Sequence, residues 1–180
     1  LALLIVPAGA HPLGAEAWSL RLGLRASQEG LHAVIVGEVP VAEVIADLGR
    51  VTGGEAPTEA QVAAYTARRQ QELASDATLS IGGQPVEAAW TATDSEFNGK
   101  AVDGFFVYAV EARLPPQALG TSGAPVPVTL EAAAWPGVDL VTAAEAEAAA
   151  PWTVVDSTAP DGWVDDASAR TLSARFTRPR

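Results

Sequence analysis

From Trp18 onward the chain alternates, with Trp18, Leu20, Leu22 and Leu24 on one side and Ser19, Arg21 and Arg25 on the other. A period of two is the signature of a strand with one buried face. Gln28, Glu29 and Gly30 form a turn signal, and residues 31–39, rich in branched side chains and containing His32, predict a hairpin with the first strand. After Pro40 the period changes. Val41, Val44, Ile45 and Leu48 recur on one face of a short helix over 41–48, with Gly49 as its expected stop. Thr58 and Gln61 form a capping box that opens a longer helix over 59–75.

Beyond residue 77 the period returns to two. Leu79 and Ile81, a Gly82-Gly83 turn, then Val86, Ala88 and Trp90 predict a second hairpin. Residues 105–114 are apolar on both faces, as expected of a strand at the centre of a sheet. Val126, Val128, Leu130 and Ala132 alternate in a further strand, and weaker strand signals follow at 140–141, 152–155 and 172–176. Residues 115–127, rich in Pro, Gly and Ser, suit a sandwich loop. The Ala-rich stretch 143–150, which carries Glu145 and Glu147, reads equally as a helical turn or as a loop ended by Pro151. Seven or more short strands separated by turns predict a mainly β fold, an immunoglobulin-like β-sandwich with a two-helix insertion between early strands.

Composition bounds what such a sandwich can do. About 170 residues beyond position 10, with 48% apolar residues overall, suit one domain over 11–180. A net charge of −11 speaks against nucleic acid and anionic membranes as partners. There is no cysteine, so disulfides and thiolate chemistry are excluded. Residues 1–10 read as a truncated secretory signal peptide, an apolar run ended by Pro7, Ala8, Gly9 and Ala10, with small residues where signal peptidases accept them. The expected location is therefore periplasmic or extracellular. No later stretch approaches the roughly 20 apolar residues of a membrane span.

Cleavage after Ala10 makes His11 the amino terminus, and that changes its chemistry. An α-amine and an imidazole on one residue form a chelate for Cu(II) or Ni(II). Pro12 lacks the N–H that amide-type terminal copper sites use, so the chelate is restricted to amine and ring. The second imidazole of the chain, His32, is the one candidate for completing such a site, and the metal-ligand expectation is His11 with His32. Asp94, Glu96 and Asn98 before Gly99 mimic the start of a calcium loop, but Phe105 stands where that loop needs a glutamate, and a hairpin turn is the better reading. Asp156, Asp161, Asp165 and Asp166 read as a solvated acidic loop or a hard-cation cluster. No Gly-x-Ser-x-Gly elbow or phosphate-cradling loop is present, and the chain is read as non-enzymatic.

His11-Pro12-Leu13-Gly14 after a signal peptide, Glu38-Val39-Pro40, the Tyr65 helix leading into Leu79-Ser80-Ile81-Gly82-Gly83, and Gly162-Trp163 occur in this order along most of the chain. Together they resemble the extracytoplasmic amino-terminal region of HupE/UreJ-type nickel and cobalt permeases. Where that family continues the first motif with Asn-Phe, this chain has Ala15-Glu16. The resemblance implies an exported domain associated with metal handling, with a membrane permease region encoded downstream as its partner. Two functions follow as expectations: a metal-associated accessory domain without catalysis, or a structural or interaction sandwich with Trp18, Trp90, Phe105, Phe106 and Trp152 as core and no metal.

Overall fold

A computed structural model describes residues 17–93, 95–98, 104–120, 123–135, 138, 140–164 and 170–179. Strand β1, Trp18–Ser27, forms the expected hairpin with β2, Gly30–Pro40, Arg25 lying opposite His32. Helix α1, Val41–Thr52, and helix α2, Glu59–Ser75, follow. The capping box of α2 forms as its sequence requires: the Thr58 hydroxyl accepts from the Gln61 backbone N–H, and the Gln61 side chain accepts from Thr58. The remaining strands are β3 (Ala77–Ile81), β4 (Gln84–Val86), β5 (Thr91–Ala92), β6 (Glu96–Asn98), β7 (Phe105–Leu114), β8 (Val126–Ala132), β9 (Leu140–Ala148), β10 (Thr153–Ser157) and β11 (Thr171–Thr177).

These strands build a β-sandwich. One sheet runs β5-β7-β2-β1-β9, with β6 also on β7, and the other runs β10-β11-β8-β3-β4. All pairings are antiparallel except β1 with β9. Leu20, Leu22, Leu24, Ile35, Tyr108 and Val110 from the first sheet meet Leu79, Leu130, Leu172 and Phe176 from the second in one continuous core. Each fully buried aliphatic side chain there contributes roughly 1.5–3 kcal/mol. The helices cover the part of the first sheet that the second leaves open, α2 packing on β7 and β5, and α1 on β2 and β7. At Gly37 of β2 a methyl group would overlap the indole of Trp135, so the bare backbone is the seat of that ring. Trp135 itself has φ of 57°, rare for a bulky residue, and is held there by contact with Trp18 and a bond to Glu72. No helix among the described residues is long and apolar enough to cross a membrane.

Helix α1 runs past Gly49 to Thr52 and ends where Gly53 adopts the left-handed conformation. Ile45, placed by periodicity on the apolar face, is 63% exposed, because only Val41, Val44 and Leu48 of that face meet the sheet. Of the alanine-rich stretch, residues 143–148 are neither a helical turn nor a loop but the body of β9, paired with β1, and only 149–150 turn into Pro151. Trp90 lies outside β4, partly buried against the core, and Trp152 is buried, whereas Phe105 takes the outer face of its sheet.

Candidate functional site

The outer face of the first sheet carries, among the described residues, a cluster of chemically useful side chains. Register fixes its rows. Arg25, His32 and Arg113 lie side by side on β1, β2 and β7, and one row over, Gly23, Val34 and Glu111 do the same. The first row sits beside the β1–β2 turn, on the wall of a cleft of about 680 Å³ lined by Arg25, Ser27, Glu29, His32, Arg113 and Ala149 among others. A second hollow of about 510 Å³, lined by Gly123, Ala124, Thr153, Thr177, Arg178 and Pro179, brings together fewer groups able to bind or react.

In the cleft, His32 Nε2 lies 2.9 Å from Glu111 Oε2, and Arg113 donates to the same carboxylate from Nε at 3.0 Å and Nη2 at 3.1 Å. Burial holds the His32 imidazole below its ordinary pKa, against the pull of the Glu111 bond, and the charges of Arg113 and Arg25 push the same way. The Arg113 bonds, helped by His32, hold the Glu111 carboxyl below the usual range. At neutral pH the ring is therefore neutral, its Nε2–H donates to Glu111, and Nδ1 keeps its lone pair. Arg25 is half-buried and makes no ion pair or side-chain hydrogen bond among the described residues. The row thus combines one neutral nitrogen donor with two guanidinium groups, and it continues onto β9 with the Glu147 position opposite Arg25.

His11 lies outside the described residues. His32 sits at the far end of β1 from Trp18, about 23 Å of strand away, while the seven-residue step from His11 to Trp18 spans at most about 24 Å. Glu96–Asn98 pairs with β7 as strand β6, in the hairpin sense, while Asp94 and Gly99 lie outside the described residues. Asp156 is bound by Arg175 across β10 and β11, Asp161 is exposed, and Asp165 and Asp166 lie outside the described residues. Among the described residues no group of three or more histidine or carboxylate side chains converges as a metal site.

The sequence reading missed a second cluster, between the helices and the sandwich. Arg69 of α2 lies over the rings of both Trp18 and Tyr65 at 5.1 Å, pairs with Asp47 of α1, and donates to Glu72 at 2.9 Å. The Tyr65 hydroxyl donates to Asp47 at 3.0 Å and accepts from Arg69 Nε at 3.1 Å. Desolvation raises the Tyr65 pKa, and bonds from Arg50 and Tyr65 outweigh burial to hold Asp47 low. Helical spacing of Tyr65, Arg69 and Glu72 shows half of this group, but Trp18 and Asp47 arrive only through tertiary packing. Every cation in the cluster is matched by a carboxylate, which marks it as a structural joint. Elsewhere on the outer face Arg21 pairs with Glu38 and stacks on Trp163. No protein-family model matches the sequence, and no curated protein matches it.

Proposed function

We propose that the chain is an exported binding domain without catalysis, which handles a metal ion as the accessory part of a HupE/UreJ-type permease. The observation that carries this reading is the state of His32. A neutral imidazole whose one ring N–H is given to a carboxylate, with the other nitrogen free to bind, is the arrangement metal-ligating histidines adopt. The amine and ring of His11 supply a separate chelate at the processed amino terminus. Nickel(II), cobalt(II) and copper(II) suit such nitrogen donors. The flanking guanidinium groups of Arg25 and Arg113 oppose a bare dication and favour one that brings anionic ligands of its own.

The test is titration of each metal into the protein processed after Ala10, into His32→Ala, and into a form with one extra residue before His11. A loss of about tenfold or more in affinity in either variant supports the reading. Equal affinity in all three forms overturns it. That result would favour the interaction sandwich without metal, for which the half-buried Val34, Val36 and Val107 on the same outer face provide a contact strip.

A further inference from the structure

We infer that the cleft beside the β1–β2 turn binds a small di- or tricarboxylate, held by Arg25 and Arg113 on either side of His32. The inference stands without any metal. In a chain with 22 acidic and 11 basic residues a carboxylate partner for each arginine is easily supplied, yet Arg25 is half-buried with no ion pair among the described residues. Arg113 is anchored on Glu111 through Nε and Nη2 only, which leaves guanidinium N–H groups for a ligand. Between the two lies an imidazole whose proton is committed to Glu111.

The spacing chooses the ligand. Arg25 and Arg113 stand on strands two positions apart, separated by the strand that carries His32, so their backbones are about 9.6 Å apart. Two forks carried on backbones that far apart suit an anion with a carboxylate at each end, which a single phosphate spans poorly. The Ser27 hydroxyl, which accepts from the Glu29 backbone N–H at 3.1 Å, still has its own proton to donate. Glu29, Glu111 and Glu147, which lies opposite Arg25 on β9, bound the site with negative charge and so oppose anions that do not engage both forks.

The test uses the whole chain, stripped of metal on a chelating resin so that no soluble chelator competes, at physiological salt. Citrate, succinate and inorganic phosphate are titrated by calorimetry and by amide and side-chain NMR. We expect saturable citrate and succinate binding, with shifts centred on Arg25, Ser27, His32 and Arg113, and weaker phosphate binding. Arg25→Gln should weaken citrate binding by about tenfold or more, while Arg175→Gln, on the opposite sheet, leaves it unchanged. Arg25→Lys keeps the charge and loses the fork, so reduced binding with an unchanged melting temperature separates recognition from folding. Absence of saturation, equal loss in the Arg25→Gln and Arg175→Gln forms, or phosphate binding as tightly as citrate overturns the inference. Because no metal is present, failure here leaves the metal reading standing, and failure of metal titration leaves this one standing.

Discussion

The lowered pKa of His32 makes protonation costly in the folded state, with a defined sign. Above the ordinary value of 6.5 the ring is neutral both folded and unfolded, and nothing is lost. As pH falls below that value the unfolded chain takes up the proton first, and stability drops until pH passes the folded pKa. The wild type should thus lose more unfolding free energy between about pH 8 and about pH 5.5 than His32→Gln, in which glutamine keeps a donor to Glu111. Urea unfolding at both pH values reads this difference. Glu145, raised by burial and by Glu147, acts in the opposite direction but equally in both proteins, so the comparison isolates the imidazole. A steeper loss in the variant would reverse the assignment. The Tyr108 hydroxyl is buried without a partner among the described residues, while its ring packs near those of Tyr65 and Phe106.

At the scale of elements, periodicity located the helices and strands and misjudged their ends. Gly49 looked like a stop because glycine follows the last residue of the apolar stripe. In the fold it is interior to α1, with nothing but its own helix's backbone and its chain neighbours within 4 Å of where its Cβ would stand. Gly53, at φ of 65°, is the real terminus, and the Gly54 N–H closes the last turn on the Gly49 carbonyl at 2.9 Å. Two substitutions with opposite signs follow. Gly49→Ala should stabilise by about 0.5–1 kcal/mol, and Gly53→Ala should destabilise by about 1–2 kcal/mol, both measured by chemical denaturation. A helix that ended at Gly49 would give the reverse order. Strand β9 was hidden for a different reason. Alanine and glutamate favour helix locally, and the stretch becomes a strand because β1 offers a parallel edge along its whole length.

Across the whole molecule, both sheets and both helices contribute to one core, and α2 is tied to it through Arg69, Trp18 and Trp135. Tryptophan fluorescence from the buried Trp135 and Trp152 and far-ultraviolet circular dichroism should therefore report one coincident unfolding transition, with two separated transitions as the opposing result. What the sequence determined alone is what depends on neighbours in the chain: the β1–β2 hairpin, the capping box at Thr58, the mainly β class and the two helices. Those signals are local because side-chain period and capping act over a few residues. The candidate site is not local. His32 was visible as an imidazole, but its carboxylate partner is 79 positions away, and Arg25 and Arg113 flank it only because β1 and β7 pair on either side of β2. Strand order and register decide such neighbours, and they are set by how two sheets and two helices share one buried surface.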